Sequence, residues 1–196
     1  MVIISVPPSG KCIAHSFRLK PGDKVMSSLK DYAAVILSRQ NPEFCSSAFI
    51  MTTVGSVSDI TLRLANASKT DPVTSKSSSE NDIRRWPDQR FEVVSLVGTF
   101  SRNQGCHVHI SLSDAKGDTI GGHLIEGTVF TTLEVVMGTI DCVEFKREMD
   151  DQTGYKELVP NKLHNTLAWR KKKFLFFTMI AFTATVGVFR SKRAKD

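Results

Sequence analysis

The sequence predicts an α+β domain: a mostly antiparallel β-sheet of about seven strands with one long flanking helix. Three observations support this fold class. One stretch near the N-terminus has apolar residues at helical spacing, several later runs are rich in Thr, Val, Ile and Phe, and short turn signals separate those runs. Consecutive strands beside a single helix are typical of an antiparallel sheet in an α+β domain.

The predicted helix follows a first strand, Ile13–Leu19, and a Pro-Gly turn. Asp23 is the predicted N-cap, because a short acidic side chain can accept hydrogen bonds from the free N–H groups of the first turn. Asn41-Pro42 ends the helix, since proline disfavours helical backbone in the residue before it. The apolar residues recur at steps of three and four and form one stripe: Val25, Met26, Leu29, Tyr32, Ala33, Ile36 and Leu37.

The remaining strands are predicted from β-branched and aromatic runs. Gly55 is expected to separate two of them, and Gly138 to turn two others into a hairpin. Asn66–Gln89 is rich in Ser, Asp and Pro and is predicted to be a surface loop. Within it, Arg84-Arg85-Trp86 is expected to be a solvated basic pair beside a tethering tryptophan. The predicted strands are Cys45–Val54, Val57–Ala65, Phe91–Phe100, Thr128–Met137 and Thr139–Phe145.

A further β-hairpin is predicted in the stretch that holds three of the five histidines. Cys106–Ser113 runs out, Asp114–Gly117 forms the turn, and Asp118–Leu124 returns. Because side chains two residues apart share one face of a strand, His107 and His109 point the same way.

The register of this hairpin decides where the third histidine lies. If Ser113 pairs with Asp118, His123 falls opposite Val108. One bulged residue at the preceding Gly-Gly pair would bring His123 opposite His109 instead. In either register, the three imidazoles lie within about two residues of each other on neighbouring strands.

Three neutral imidazoles on adjacent strands suit a divalent ion, usually zinc, with one coordination position open for water or substrate. Such an ion can lower the pKa of its water or polarise a carbonyl. The predicted ligands are His107, His109 and His123. The alternative is that the three histidines are polar residues on a solvated strand face, and the sequence leaves both interpretations open.

Two carboxylates fall within predicted apolar strands, Glu134 and Glu92. A carboxylate beside a metal can act as a general base or can hydrogen-bond to a ligand. Glu134 is the stronger candidate for such a role and Glu92 the weaker. His15, alone in the first strand, is expected to be structural.

Charge is distributed unevenly along the chain. Residues 161–196 carry nine Lys/Arg and one Asp, a net +8, whereas residues 1–160 carry 17 Lys/Arg and 19 Asp/Glu, a net −2. The basic charge therefore gives no support for nucleic-acid binding by the folded domain. The four cysteines form no C-x-x-C motif, which favours free thiols in a reducing, intracellular and cytoplasmic setting.

An ordered series of motifs resembles the PPC domain, named for its presence in plants and prokaryotes. The motifs are RLKPGDKVMSSL, GSVSDITLRLA, FEVVSLVGT, HVHISLSDAKGDTIGGHLIEG and TTLEVV. The resemblance implies an antiparallel sheet with a flanking helix, assembly as a homotrimer, and distant kinship with acetolactate decarboxylase-like folds. The family's H-x-H and G-G-H positions fall on His107, His109 and His123. The chain has no Arg-Gly-Arg-Pro core, so it is similar to the prokaryotic rather than the plant DNA-binding type.

The C-terminal tail contains sixteen residues without a charge, 174–189, between basic clusters. As a helix this segment would be ~24 Å long at ~1.5 Å per residue, short of the ~30 Å hydrocarbon core. Flanking Lys and Arg side chains could close that gap, and Trp169 suits a membrane interface. A membrane anchor is one hypothesis, and a packed or amphipathic helix or a poorly folded tail are the others.

These observations predict an N-terminal extension at residues 1–12, a PPC domain at 13–147, a linker at 148–169 and the basic, apolar tail at 170–196. The leading functional hypothesis is a homotrimer with a three-histidine zinc site, and whether it catalyses a reaction on a small carbonyl substrate is open. The alternative is a non-catalytic oligomerisation or interaction module, tethered to a membrane by its tail. DNA binding is a weaker third hypothesis, because no groove-reading helix or hook is visible.

Overall fold

The computed structural model describes residues 6–65, 83–102 and 105–163. These residues form one helix and seven strands, which confirms the predicted α+β class. The elements are β1 (Cys12–Leu19), α1 (Val25–Ser38), β2 (Ser47–Arg63), β3 (Ile83–Ser101), β4 (Gly105–Ser113), β5 (Thr119–Ile140), β6 (Val143–Asp150) and β7 (Tyr155–Lys162).

The main sheet is organised around β5. Its strand order is β1-β5-β2-β3-β4, and every pairing is antiparallel. The first residues of β5 also pair with β4, so that β5, β2, β3 and β4 close into a ring. A strand of 22 residues can serve three neighbours because one edge pairs with β2, while the other edge pairs with β4 at its first residues and with β1 at its last residues. β6 and β7 form a separate antiparallel hairpin.

The helix covers the sheet with its apolar stripe. α1 packs mainly on β5, and all the predicted stripe residues are buried except Tyr32. The Tyr32 ring stacks on Phe17, with centroids 4.0 Å apart and planes 8° from parallel. Each fully buried aliphatic side chain contributes about 1.5–3 kcal/mol. The largest of these are Leu19, Leu29, Ile60, Leu62, Leu112, Leu124, Leu133 and Met137.

The predicted N-cap of α1 is wrong. Asp23 Oδ2 accepts a hydrogen bond from the backbone N–H of Lys20 at 2.7 Å and does not reach the helix. The carboxylate of Glu126 on β5 takes its place and accepts hydrogen bonds from Met26 N at 2.7 Å and Ser27 N at 3.3 Å. A cap from a residue one hundred positions away cannot be recognised from local sequence.

The two glycines expected to interrupt strands lie inside them instead. β2 runs through Gly55, where φ is 144° and a Cβ would come within 2.1 Å of the Thr132 carbonyl oxygen on β5. β5 runs through Gly138, where a Cβ would come within 2.7 Å of the Phe49 ring. The chain turns only after Ile140. Both glycines therefore make room for a close neighbour, and the predicted hairpin at Gly138 is wrong.

Two predicted connections also contain strand. Residues 83–89 of the predicted loop begin β3, with Arg84 paired to Leu62 on β2, while residues 66–82 lie outside the described residues. Trp86 packs against the core as a tether, as expected, and Arg84 and Arg85 are exposed. Residues 148–162, expected to belong to a linker, complete β6 and form all of β7.

Candidate metal centre

The hairpin that carries the histidines has a loop one residue longer than predicted. Ser113 pairs with Thr119, so Asp114–Asp118 lies outside the ladder. Asp114 holds this loop closed, because its Oδ1 accepts hydrogen bonds from Lys116 N at 2.8 Å and Asp118 N at 2.9 Å. The hairpin exists as predicted, but a local hydrogen-bond network rather than the length of the turn sets its register.

His123 lies directly opposite His109 in this register, without a bulge. On its other side β5 pairs with β2, where Arg63 is opposite His123. A Cβ at Gly122 would lie 2.7 Å from the Arg63 carbonyl oxygen, and one at Gly121 would lie 3.0 Å from a carbonyl oxygen of β4. The Gly-Gly pair therefore lets β5 fit closely between two strands, and the predicted bulge is replaced by this close approach.

The three imidazoles converge on one region. Nε2 of His107 lies 3.0 Å from Nε2 of His109, and the His123 ring centroid lies 5.2 Å and 5.5 Å from those of His107 and His109. One ring nitrogen from each residue lies within 4.8 Å of the other two. Two nitrogens bound to one tetrahedral zinc are about 3.4 Å apart, given Zn–N bonds of about 2.0–2.1 Å. The observed nitrogen spacings, from 3.0 Å to at most 4.8 Å, lie on either side of that value.

Burial and nearby positive charge keep two of the rings neutral. Desolvation, followed by the Arg63 guanidinium, lowers the pKa of His123 to about 4. Desolvation, followed by repulsion from His109, also lowers the pKa of His107. A neutral imidazole has a lone pair available for a metal, so both rings are ready to coordinate at neutral pH.

One ring nitrogen lacks a partner. Nδ1 of His123 is buried and has no hydrogen-bond partner among the described residues. A buried polar atom left unpaired costs about 1–3 kcal/mol, and coordination of an ion would satisfy a bare imidazole nitrogen. The donor set therefore fits zinc in composition, spacing and protonation state.

The β6–β7 hairpin forms the wall facing the histidines. Ser47 Oγ on β2 donates to a backbone carbonyl of β6 at 2.9 Å and accepts from Phe145 N at 2.6 Å. Arg147 Nη2 on β6 donates to Thr99 Oγ1 on β3 at 2.7 Å. Thr99 lies opposite His107 in the β3–β4 ladder, so these hydrogen bonds fasten β6 beside the cluster.

Two cavities adjoin the histidines. The larger, of about 660 Å³, is mainly apolar and is lined by Phe49, Ile50, Val97, Gly98, Thr99, His107, His109, Phe145, Arg147, Glu157 and Leu158. The smaller, of about 280 Å³, is more polar and is lined by Arg63, Gly105, Cys106, His107, His123, Arg147, Tyr155, Lys156 and Glu157.

Several of these lining residues were missed by the sequence argument. Arg63 was placed in a strand without a role, while Tyr155 and Glu157 fell in a predicted linker. A signal was present in Val143–Asp150, where apolar Phe145 and basic Arg147 alternate with other polar residues at strand spacing. That alternation could have identified β6, and the Gly154 turn could have identified the hairpin.

The structure does not bring the predicted carboxylates to the site. Glu134 is exposed, lies eleven residues beyond His123 on β5, and pairs with Arg18 on β1. Glu92 is exposed on β3 opposite Ser113. Neither lines a cavity beside the histidines.

His15 is also distant from the cluster. It lies on β1, where its Nε2 is 3.3 Å from Thr139 Oγ1. β1 pairs with the far end of β5, so this histidine has the structural position expected of it.

Residues 8–141 match the family described as the Plants and Prokaryotes Conserved (PCC) domain. The chain belongs to this family. All three histidines lie inside the matched residues, which confirms the resemblance found from the motifs, whereas β6 and β7 lie beyond them.

Known proteins share both sequence and fold with the chain. A bifunctional protein GlmU from Synechococcus sp. (strain JA-3-3Ab) is 34% identical over 152 residues, which cover 77% of this chain and 21% of that protein. The chain thus spans about a fifth of the length of the curated relatives that it matches. A hypothetical protein from Salmonella enterica is 29% identical, with a TM-score of 0.65, covering 80% of this chain and 99% of that chain.

Two other solved structures have the same fold at lower identity. The metal-containing protein AF0104 from Archaeoglobus fulgidus is 21% identical with a TM-score of 0.57, covering 81% of this chain and 99% of that chain. A protein from Ralstonia eutropha JMP134, which is provisionally named a DNA-binding protein, is 20% identical, with a TM-score of 0.55. The match covers 74% of this chain and 89% of that chain.

The membrane hypothesis concerns residues 174–189, which lie outside the described residues. Across the ranges that are described, no helix has the length and hydropathy needed to span a bilayer.

Proposed function

We propose that this PCC-domain protein binds a divalent metal ion through His107, His109 and His123, and zinc is the ion that we expect. The observation that carries the proposal is the approach of one nitrogen from each ring to within 4.8 Å of the others. The lowered pKa of His107 and His123 supports it, because both rings are then neutral without the metal. The fold shared with a metal-containing archaeal protein is consistent with it.

A bound zinc would supply a Lewis acid for a small carbonyl substrate, which is the enzymatic form of the proposal. The larger cavity provides an apolar space of about 660 Å³ beside His107 and His109. Among the described residues that line the two cavities, Glu157 is the one carboxylate. If the centre is catalytic, Glu157 is therefore a better candidate for a proton-transfer role than Glu134.

We further propose that the protein assembles as a homotrimer. Four apolar side chains on the neighbouring strands β2 and β3 are exposed: Met51, Val54, Val94 and Val97. These four side chains are 49–60% exposed. A cluster of exposed apolar side chains on two neighbouring strands is typical of an association surface, and a second copy of this chain is the proposed occupant.

Elemental analysis of the purified protein, with its mass in solution, tests both proposals. We expect one zinc per chain and a mass about three times the 21.7 kDa of the monomer. His107→Ala should lose the metal, while His15→Ala, the matched control, should keep it. Protein that stays metal-free when zinc is supplied would rule out the metal centre, and a monomeric mass would rule out the trimer.

A non-catalytic interaction module is the second candidate function. Glu134 lies opposite Arg18 and away from the histidines, which favours this candidate over an enzyme that uses Glu134 as its catalytic carboxylate. This candidate predicts that replacing all three histidines leaves the oligomer and its partner binding intact. Its membrane-tethered form predicts that removal of residues 170–196 releases the protein from the membrane fraction. DNA binding by residues 1–163 at moderate salt would favour the role suggested by the name of the Ralstonia relative.

A further inference from the structure

The smaller cavity beside the histidines carries an excess of positive charge. Among the described residues that line it, three are cationic, Arg63, Arg147 and Lys156, and one is anionic, Glu157. Cys106, His107, His123 and Tyr155 complete the polar lining that the structure describes. The cavity is therefore electropositive before any metal enters it.

Arg63 faces this cavity without a carboxylate of its own. It lies on β2 directly opposite His123. Its guanidinium lies 5.6 Å from the centroid of the Tyr155 ring, and among residues 6–65, 83–102 and 105–163 no carboxylate is within ion-pair distance of it. An arginine held against an aromatic ring beside a cavity presents a planar set of N–H donors, which matches the two oxygens of a carboxylate.

Arg147, on β6, lines the same cavity. Its Nη2 donates to Thr99 Oγ1 at 2.7 Å and its Nη1 donates to the Lys156 carbonyl oxygen at 3.4 Å. These bonds set the position of the guanidinium between β3 and β7. The charge of Arg147 therefore adds to that of Arg63 in the lining of the same cavity.

A divalent cation on the histidines would be repelled by these neighbours. Arg63 lies directly opposite His123, and Arg147 lines both cavities beside the histidines. A dication held by the histidines would be repelled by both guanidinium groups, since the Coulomb energy scales with the product of the charges. One carboxylate in the wall, Glu157, does not balance a dication and three side-chain cations.

We propose that the smaller cavity binds a small carboxylate anion, with its carboxylate between the metal and the Arg63 guanidinium. This inference rests on the proposed metal centre and names the ligand class for it. A volume of about 280 Å³ corresponds to about nine water molecules at ~30 Å³ each, which accommodates an acid of three or four carbons. Because each ligand relieves the repulsion felt by the other, metal and anion bind with positive, reciprocal coupling.

Calorimetric titration of the full-length, zinc-loaded protein with lactate and with lactamide tests this inference. The two probes have nearly the same shape and differ in charge. Lactate is expected to bind the zinc-loaded protein at least about tenfold more tightly than the zinc-free protein, the factor that one charge-assisted hydrogen bond typically supplies. Lactamide is expected to show no such dependence on zinc. Reciprocally, excess lactate should raise the zinc affinity by the same factor.

The matched variants are Arg63→Gln and Arg18→Gln, each of which removes one positive charge. Arg18 is exposed on β1 and lines neither cavity. Arg63→Gln should weaken lactate binding about tenfold and keep one zinc per chain, whereas Arg18→Gln should leave both unchanged. If Arg63→Gln does not fold, Arg63→Lys takes its place, and we expect a smaller loss because the charge remains and the planar fork is gone.

The outcomes separate the two proposals. Stoichiometric zinc with equal lactate and lactamide binding, or equal lactate binding by wild type and Arg63→Gln, overturns the anion site and leaves the metal centre standing. Failure to take up zinc overturns the metal centre and this inference together.

Discussion

The two ends of β5 differ in what they pack against. The first end, Thr119–Glu126, pairs with β4 and the end of β2 and carries His123 beside the smaller cavity. The second end, Leu133–Ile140, pairs with β1 and β2 and carries core residues such as Met137. A single strand thus serves as scaffold over one part of its length and as a site over another, and the neighbouring strands decide which.

Two carboxylates on this strand make the same contrast. Glu126 accepts hydrogen bonds from the first turn of α1, whereas Glu134, eight residues further on, is exposed opposite Arg18. Both are glutamates among apolar residues in the sequence. Only the packing of α1 distinguishes them. Glu134, the candidate for a catalytic role, lies away from the site, whereas Glu126, which the sequence did not single out, stabilises the fold.

The largest expected effect separates the first end of β5 from the rest. His123→Ala should reduce zinc affinity by more than about 100-fold, since loss of a direct ligand exceeds the 10–100-fold typical for its supporting partners. The zinc-free variant should fold, because the change also removes a buried nitrogen that lacks a partner. Zinc titration monitored by a competing chelator measures this. Unchanged affinity would contradict the proposed ligand set.

The next effect concerns the second end. Leu133 has 0% of its surface exposed, and Leu133→Ala should lower the free energy of unfolding by about 2–5 kcal/mol through lost burial and a cavity. Ile125→Ala, at the first end, alters a side chain that is 39% exposed and should cost less than half as much. Urea unfolding of both variants without metal provides the test, and equal costs would contradict the difference in burial between these two side chains.

A smaller effect compares the two glutamates. Glu126→Gln should destabilise the protein by about 0.5–2 kcal/mol, because the amide offers one acceptor oxygen and no charge to the N-terminus of α1. Glu134→Gln should stay within about 0.5 kcal/mol of wild type. Thermal or urea unfolding decides between them, and a larger cost for Glu134→Gln would mean that Glu126 is not the cap.

The last expected effect is a dependence of the free energy of unfolding on pH. The pKa of His123 is about 4 in the folded protein and 6.5 as the reference value, so between these values the unfolded chain binds the proton more readily. The stability of zinc-free wild type relative to His123→Gln should therefore fall as pH decreases from 6.5 to 4 and stay constant above 6.5. The midpoints of urea unfolding of both proteins at pH 7.5, 5.5 and 4.5, values chosen around these two pKa values, should give this trend. A difference in midpoint that does not change with pH would contradict the burial of His123.

Local sequence was sufficient for much of the fold. The three- and four-residue spacing from Val25 to Leu37 predicted α1, and alternation predicted the β4–β5 hairpin with its three histidines. It failed at Gly55 and Gly138, because a glycine that turns the chain and a glycine that admits a neighbouring backbone or ring look alike in sequence. The second wall of the site was missed for a related reason, since hydrogen bonds between residues distant in sequence hold β6 beside β2 and β3.

The sequence by itself determined the fold class, the family and the three histidines of the candidate site, since periodicity, motif order and hairpin pairing are local properties of the chain. Only the tertiary structure decided which carboxylate caps the helix, which residues complete the site, and that Arg63, Arg147 and Glu157 surround the imidazoles. These last groups come from three separate strands, β2, β6 and β7. Electrostatic and cavity-forming contacts between them depend on distance in space, which spacing along the chain does not encode.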